Sequence, residues 1–244
     1  MNVDTSLSTQ SDWQTSLLTD ILRMQATSLL ASPPPDVVLW EAPAVPRVSG
    51  LVPDATMTGT RINEMMVGTS KDDTIFGNSG DDFIFGRLGF DKIIGGSGND
   101  TIHGGDDGDK LYGWHGDDRV YGGQGNDGLY GNHGNDLLVG GSGDDWLCAG
   151  SGHDELRGGR GRDTFVFRPP EGDSRSTYLD FDLRRDSLVM RMDLAPDGVQ
   201  RSDFTVAEDG SLVLKVAGGN ELWFPTLTAR NINALIANVD FIFS

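Results

Sequence analysis

Cysteine is nearly absent from the sequence, and this excludes two kinds of stabilisation. Cys148 is the only thiol, so the chain can form no internal disulfide and has no cluster of cysteines for zinc. A lone thiol usually behaves as a small apolar side chain, and we assign it no redox role. Aromatic residues make up only 8% of the chain, whereas 34 of its 244 residues are glycine. This balance is typical of repeat proteins rather than of an ordinary globular domain.

Basic residues are also scarce. Lys and Arg number 19 against 37 Asp and Glu, which gives a net charge of −18. Residues 68–166 contain 18 of the acids and 8 of the basic residues, so this window alone carries −10. A nucleic-acid partner is therefore not expected, and a cation is.

Long apolar runs are missing as well. The sequence has no run of about 18 apolar residues, the length that is needed to cross a bilayer, so we expect no membrane span. The start, Met1-Asn-Val-Asp-Thr-Ser, lacks the positive charge and the apolar run of a secretory signal peptide. If the protein leaves the cell, we expect another export route.

Two common hydrolase motifs are absent too. The sequence contains neither His-Glu-x-x-His nor Gly-x-Ser-x-Gly. We therefore expect a protein that is not an enzyme, with a hydrolase of unrecognised site as the remaining alternative.

The most informative stretch is an uninterrupted nine-residue repeat from Gly68 to Val166, present in eleven copies. One clear copy reads Gly95-Gly-Ser-Gly-Asn-Asp100-Thr-Ile102-His, and the pattern is Gly-Gly-x-Gly-x-Asp-x-U-x, where U is a large apolar residue. Position six is always aspartate: Asp73, Asp82, Asp91, Asp100, Asp109, Asp118, Asp127, Asp136, Asp145, Asp154 and Asp163. Position eight is always apolar: Ile75, Ile84, Ile93, Ile102, Leu111, Val120, Leu129, Leu138, Leu147, Leu156 and Phe165.

Each repeat is too short to bury its large side chain alone, so the repeats must stack on one another. The glycines permit a tight turn, and the x-U-x triplet predicts a short strand whose central residue points inward. If two repeats make one turn of a flattened coil, loops eighteen residues apart lie about 4.8 Å from each other. Their carboxylates would then repel unless a cation lies between them. Carboxylate and carbonyl oxygens on a flexible glycine-rich loop favour Ca²⁺ over Mg²⁺.

Residues 68–166 resemble the repeats of the repeats-in-toxin (RTX) family, the hemolysin-type calcium-binding proteins. The resemblance implies an all-β fold, a right-handed parallel β-roll that binds calcium between successive loops. We divide the chain into residues 1–59, an N-terminal amphipathic helix and Pro-rich linker; residues 60–166, the β-roll; and residues 167–244, a β-rich cap with a secretion signal.

The resemblance also implies the calcium ligands. Each ion would take carbonyls of positions two and four and the Asp of one loop, with carbonyls of positions one and three and the Asp of the loop eighteen residues on. Two ladders of aspartates would then hold up to about nine ions, five in one ladder and four in the other. The glycine carbonyls at positions two and four belong to Gly80, Gly96, Gly98, Gly105, Gly116, Gly123, Gly125, Gly134, Gly141, Gly143 and Gly152.

Three residues depart from the pattern at its first and fourth positions. Lys71 and Asp107 replace glycine at position four, and Ala149 replaces glycine at position one. Lys71 is the most consequential, because it is a cation beside an expected cation site. It marks a terminal, capping repeat.

The flanks carry weaker signals. Residues 11–24 have the capping box Ser11-x-x-Gln14 and an apolar stripe typical of a helix, which must end before Pro33. Beyond the repeats, strands are predicted at 163–167, 178–183, 187–190, 204–206, 212–216 and 222–224, with a helix at about 228–237. The final residues, Val239-Asp-Phe-Ile-Phe-Ser244, resemble the uncleaved signal of type I secretion and are also compatible with a last core strand. The resemblances together imply a secreted bacterial protein, exported by type I machinery, that works outside the cell.

Some exposed positions allow further interpretations. His115 and His133 lie eighteen residues apart, where they would either hold a transition metal or simply face water. Position nine predicts an outward column of Phe76, Ile94, Tyr112 and Tyr130 on one face and of Phe85, His103 and Tyr121 on the other. These columns would pack against the flanks of the chain or bind a sugar or a partner surface. The functional alternatives are therefore a calcium-folded structural protein and a carbohydrate-binding or adhesion module, like the accessory repeats of mannuronan epimerases.

Overall fold

The structure is a computed structural model that describes residues 56–168, 174–191 and 198–242. The helix predicted at 11–24 and the Pro-rich linker lie outside these residues. In the described part of the chain no helix is long and apolar enough to span a membrane.

The described residues are mostly β-strands with one short α-helix. The helix, α1, spans Ile232–Asn238. The strands are β1 Thr56–Thr58, β2 Met65–Val67, β3 Thr74–Ser79, β4 Phe83–Arg87, β5 Lys92–Ser97, β6 Thr101–Asp106, β7 Lys110–His115, β8 Arg119–Gln124, β9 Gly128–His133, β10 Leu137–Ser142, β11 Trp146–Ser151, β12 His153–Arg160, β13 Thr164–Phe167, β14 Arg175–Tyr178, β15 Ser187–Arg191, β16 Phe204–Val206, β17 Leu212–Lys215, β18 Glu221–Phe224 and β19 Val239–Ile242.

Consecutive strands alternate between two sheets, which makes the chain a parallel β-solenoid. The first sheet has the order β1-β3-β5-β7-β9-β11-β13-β15-β19. The second has the order β16-β17-β18-β14-β12-β10-β8-β6-β4-β2. Neighbouring repeat strands pair in parallel with a shift of eighteen residues, as in the pairing of Leu111 with Leu129. The expected β-roll is thus confirmed, with two repeats to each turn.

The core is a double column of the position-eight side chains. All eleven are fully buried, with an exposed fraction of 0%. Since successive strands belong to opposite sheets, the inward side chains of one sheet meet those of the other between them. Each repeat contributes one large side chain, which explains why the pattern demands an apolar residue there and tolerates variation around it.

A twelfth unit precedes the eleven copies recognised in the sequence. Residues 59–67 keep the repeat register, with Glu64 at position six and Met66, 1% exposed, at position eight. Strand β1, before this unit, already pairs in parallel with β3. The β-roll therefore begins near residue 56. Its first repeat is hard to recognise in the sequence because Glu64 replaces the usual aspartate.

The C-terminal region continues both sheets before it closes them. β14, β15, β18 and β19 pair in parallel with earlier strands of their sheets. Among the strands that the structure describes, only the pairs β16–β17 and β17–β18 are antiparallel. A strand at 178–183 was expected, and this prediction is wrong: β14 ends at Tyr178, and a turn follows at Leu179 and Asp180. Tyr178 takes the core position next to Leu156, so the chain turns where a repeat would turn. The last strand, β19, pairs with β15, which agrees with the reading of residues 239–242 as a core strand.

Candidate metal centre

The position-six aspartates form two buried rows, one along each edge of the roll. Each follows a tight loop, and all eleven side chains are at most 2% exposed. Members of one row are eighteen residues apart, as predicted. The sequence thus places carboxyl groups, which are rarely buried without a partner, inside the protein eleven times.

One oxygen of each internal carboxyl group has a regular partner. The Oδ1 atom accepts a hydrogen bond from the backbone N–H of the acid eighteen residues earlier, as in Asp100 N to Asp118 Oδ1 at 2.8 Å. The same contact runs from Glu64 and Asp82, at 2.8 Å, to Asp145 and Asp163, at 3.1 Å. These bonds fix the orientation of the carboxyl groups from loop to loop.

The other oxygen has no such partner. The Oδ2 atoms of ten aspartates are buried and have no hydrogen-bond partner: Asp82, Asp91, Asp100, Asp109, Asp118, Asp127, Asp136, Asp145, Asp154 and Asp163. A buried polar atom without a partner costs about 1–3 kcal/mol. Ten of them in register are not compatible with a stable fold unless something else satisfies them.

Glycine at position one makes room for these oxygens. A Cβ atom added to Gly113 would lie 2.2 Å from Oδ2 of Asp118, and one added to Gly131 would lie 2.2 Å from Oδ2 of Asp136. At these two glycines a side chain would therefore displace the carboxylate. The first glycine of the repeat is therefore required by the carboxylate and not by its backbone angles.

The glycines at positions two and four are required by backbone angles. The eleven glycines predicted to offer carbonyl oxygens all have positive φ, between 114° and 133°. Only glycine adopts such angles without strain. A few other residues are held there nonetheless, including Arg87 at φ 93° and Trp114 at φ 87°.

Burial raises the pKa of these carboxyl groups. The pKa of Asp109 and of Asp118 rises to about 8, first because of burial and then because neighbouring carboxylates repel; the backbone hydrogen bond to each partly offsets this. In Asp100 and Asp127 the same burial raises the pKa to about 6. A protein without a cation at this site thus resists carrying all these charges near pH 7.

This donor set fits calcium. No group of three or more His, Cys, Asp or Glu side chains that could hold a metal is present in the described residues, so carboxylates alone do not make a site. Backbone carbonyls must contribute, and a shell of carbonyl and carboxylate oxygens is what Ca²⁺ prefers. The partnerless Oδ2 atoms would supply the negative charge.

The departures from the repeat pattern have distinct structural consequences. Asp107 keeps the left-handed φ of the glycine it replaces, 72°, and its Oδ2 accepts a hydrogen bond of 3.2 Å from the Gly89 N–H. Ala149 is buried, 2% exposed, at the position where the other repeats have glycine. The carboxylate of Asp154, the position-six residue of the same repeat, nevertheless keeps its place in the row, since its Oδ1 accepts a hydrogen bond of 3.0 Å from the Asp136 N–H.

The sequence analysis missed two acids that continue the rows. Glu64 donates its N–H to Asp82, and Asp186 accepts a hydrogen bond of 3.2 Å from the Asp163 N–H. Asp186 begins an Asp-Ser-Leu triplet, the repeat's own Asp-x-U signal, but it lies 23 residues after Asp163 and thus out of period. Asp180 was also overlooked; its carboxylate accepts 2.9 Å hydrogen bonds from the N–H groups of Gly158 and Gly159.

The predicted aromatic columns are present on the outer faces. Tyr112 and Tyr130 stack with ring centroids 4.7 Å apart, and His103 stacks between Phe85 and Tyr121 at 5.0 and 4.6 Å. Burial lowers the pKa of His103 to about 4, so this ring is neutral near pH 7.

The predicted approach of His115 and His133 also occurs. Their exposed rings stack at 4.9 Å, and a His133 ring nitrogen lies 3.0 Å from the Ser151 hydroxyl. No third metal-binding side chain joins them within the described residues.

Comparison with known proteins supports this description. Residues 58–93, 94–129 and 130–165 each match the family model described as RTX calcium-binding nonapeptide repeat (4 copies). Each of the three matches covers four nine-residue repeats, and the first match includes the unit with Glu64. No curated protein matches the chain.

Two solved structures show partial likeness. The extracellular lipase LipA from Serratia marcescens is 20% identical, with a TM-score of 0.45 over 76% of this chain; the chain spans 40% of the lipase. The AlgE6R3 subunit of the mannuronan C5-epimerase from Azotobacter vinelandii is 30% identical, with a TM-score of 0.26. That match covers 56% of this chain and 80% of the subunit.

Proposed function

The chain belongs to the RTX calcium-binding nonapeptide-repeat family through its residues 58–165, and from this premise we propose that it is a secreted protein whose β-roll folds on extracellular calcium. Its role outside the cell is structural or one of binding. The observation that carries the calcium part is the set of ten buried Oδ2 atoms without a hydrogen-bond partner.

Calcium would supply the positive charge that these rows lack. The chain would supply the rest. Hydrogen bonds from backbone N–H groups to the Oδ1 atoms hold the carboxylates in register, the left-handed glycines would offer their carbonyls, and glycine at position one leaves space. Without the cation, repulsion between the rows and the entropy of the glycines oppose folding. Calcium at roughly 10⁻⁴ to 10⁻³ M, the range of extracellular modules, would then reverse the balance.

Calcium content is the direct test of this proposal. The full chain is dialysed against buffers of defined free Ca²⁺, and bound metal is measured by mass spectrometry, with Mg²⁺ at equal concentration as the control. We expect several calcium ions per chain and little magnesium. A chain that retains no calcium at millimolar concentrations would contradict the proposal.

The export part of the proposal rests on the resemblance of residues 239–244 to a type I secretion signal, and the placement of this segment in the fold sets a condition on it. Residues Val239–Ile242 pair with β15 in the folded protein, so their backbone is occupied by the sheet. An exporter that reads this segment must therefore meet the chain before it folds. Calcium dependence would provide that order, with the chain unfolded in the calcium-poor cytosol and folded outside.

Secretion can be tested by expression with and without a functional type I exporter. We expect the chain in the medium only when the exporter is active, and we expect removal of residues 239–244 to retain it in the cell. Equal amounts in the medium without the exporter would refute this part and leave the calcium part intact.

A second candidate function is carbohydrate binding on the outer face of the first sheet. Trp114 and Trp146 are 47% and 40% exposed there, on β7 and β11, and the stacked pair Tyr112 and Tyr130 lies on β7 and β9. Neighbouring exposed aromatic side chains are typical of binding surfaces.

One departure from the repeat adds an aromatic side chain to this face. Trp114 keeps a left-handed φ of 87°, which is costly for a bulky residue, although it is half exposed and packs into no core.

A glycan array on the calcium-loaded protein tests this candidate. Trp114→Ala and Tyr130→Ala should weaken binding of a captured glycan, whereas Tyr121→Ala, in the stacked column of the other sheet, should not. No binding to any glycan, or equal loss in all three variants, would leave the structural role as the function.

We propose no catalytic activity for the chain. A broad screen of ester, peptide and glycosidic substrates would contradict this if it found an activity that a point substitution abolishes.

A further inference from the structure

The acids at the ends of the two rows differ from those inside. The second carboxylate oxygen of an end acid accepts a hydrogen bond from the N–H four residues earlier in its own loop. This bond runs from Thr60 to Glu64 at 2.5 Å, from Thr69 to Asp73 at 2.6 Å and from Asp182 to Asp186 at 2.8 Å. The Thr69 hydroxyl adds a further bond of 3.0 Å to Asp73. These oxygens are satisfied by the protein, whereas the equivalent Oδ2 atoms of the ten internal aspartates have no partner.

The backbone at position two explains the difference. This residue stands four positions before the acid, and in the ten internal repeats it has positive φ: Asn78, Arg87, Gly96, Gly105, Trp114, Gly123, Asn132, Gly141, Gly150 and Gly159. The first two repeats have Thr60 and Thr69 there instead. Threonine is branched at Cβ and resists positive φ, so its N–H remains directed at the acid of its own loop.

An Oδ2 atom without a hydrogen-bond partner therefore occurs together with a positive φ at position two of the same repeat. Ten repeats show both features, and the first two show neither. Four of the ten make the turn with a residue other than glycine, at the cost of strain. This backbone strain is consistent with an Oδ2 atom that must be free to bind a ligand.

We propose that the two carboxylate rows end in hydrogen bonds and not in metal: Glu64, Asp73 and Asp186 cap the rows as calcium-free acids, and calcium is held only by the internal aspartates. The inference rests on the proposed calcium binding. It goes beyond that binding because it assigns which acids bind no ion. At the fourth end, after Asp154, the residue paired with the last aspartate within the described part of the chain is a serine, Ser176, 1% exposed.

Closed ends serve a purpose in a stacked fold. A terminal loop has a neighbour on one side only, so an ion there would be coordinated by one loop and by water. An acid whose oxygen is already bonded to its own backbone needs no such ion. The end loops can then keep their shape while the internal loops depend on calcium.

Matched substitutions test the proposal on the full chain. Asp73→Asn and Asp186→Asn change end acids, and Asp109→Asn and Asp145→Asn change internal acids of the same row. Calcium per chain is measured at the lowest free Ca²⁺ that saturates the wild type, together with the far-UV circular dichroism spectrum. We expect the end variants to keep the wild-type calcium count and the internal variants to lose at least one ion.

Loss of an ion from either end variant, equal to that of the internal variants, would overturn the proposal. Asp186→Asn carries the test if Asp73→Asn does not reach the wild-type spectrum. Failure of both end variants to fold, while the internal variants fold, would also count against it, because a cap should lose only hydrogen bonds. If the wild type itself binds no calcium, the proposed function fails instead, so the two failures are distinguishable.

Discussion

Substitution of Gly113 by alanine isolates the role of the first glycine of the repeat. The φ angle of Gly113 is not left-handed, so alanine causes no backbone strain, but its Cβ would lie 2.2 Å from Oδ2 and 2.9 Å from Cβ of Asp118. Because ordinary contacts begin near 3.4 Å, the carboxylate must move by about 1 Å. Such a shift exceeds the roughly 0.2 Å tolerance of a metal ligand.

The expected cost has two parts. The 2.8 Å hydrogen bond from the Asp100 N–H to Asp118 is broken, which leaves a buried donor at a cost of about 1–3 kcal/mol. Loss of one ion costs about 2.7 kcal/mol more when calcium is 100 times its dissociation constant. We therefore expect the calcium-loaded Gly113→Ala protein to lose about 4–6 kcal/mol of stability.

Thermal and denaturant unfolding in saturating calcium measure this loss. The matched control is Gly128→Ala, whose Cβ would meet only the Tyr130 ring at an ordinary 3.4 Å and the Asp109 carbonyl at 3.8 Å. It should change stability by less than about 1 kcal/mol. Equal effects of the two substitutions would refute the argument that position one is glycine for the sake of the carboxylate.

Three further predictions concern the core, the carboxyl groups and the thiol. Leu129→Ala removes a fully buried core side chain and should cost about 2–5 kcal/mol in calcium-loaded unfolding experiments; a loss under 1 kcal/mol would contradict the stacked core. In chelator, Asp109 and Asp118, whose pKa is about 8 in the fold and about 3.9 when unfolded, favour folding only when protonated. Circular dichroism of the calcium-free chain should thus show β-structure that is greatest below about pH 4 and is lost as the pH rises through about 8, and the opposite trend would contradict the burial of these acids. Burial raises the pKa of the Cys148 thiol to about 11, so alkylation at pH 8 should be slow in calcium and faster in chelator, and equal rates would show that the thiol's environment does not depend on calcium.

The strict period made most of the fold predictable from the sequence. An apolar residue every nine positions, with one aspartate two residues before it, allows a single stacking, and the structure has the expected pairing of residues eighteen apart. The aspartate rows followed from the same register. Local pattern and long-range contact coincide in such a fold, which is unusual for a chain of this size.

The ends of the roll were not predictable in the same way. Glu64 replaces the diagnostic aspartate, and Asp186 falls five residues out of period, since 23 residues rather than 18 separate it from Asp163. Both act through a tertiary hydrogen bond that no periodicity indicates. The β14 boundary was misplaced for a related reason: Tyr178 reads as the start of an apolar run, but it is the last core residue before a turn held by Asp180.

The state of the second carboxylate oxygen could not be read from sequence either. The pattern gives an aspartate at Asp73 and at Asp91 alike, yet only one of them has an Oδ2 without a partner. The difference lies in the backbone angle four residues earlier, where Thr69 and Arg87 stand. The threonine in place of glycine at position 69 is visible in the sequence as a departure from the pattern. Only the three-dimensional structure shows that its N–H donates a hydrogen bond to the Oδ2 of Asp73.

Far-UV circular dichroism of the full chain, in excess chelator and after addition of millimolar calcium, tests the central claim most directly. We predict little β-structure in chelator near pH 7.5, and a strongly β-rich spectrum with calcium that equal magnesium does not produce. An equally β-rich spectrum in chelator would contradict the claim that calcium folds this roll.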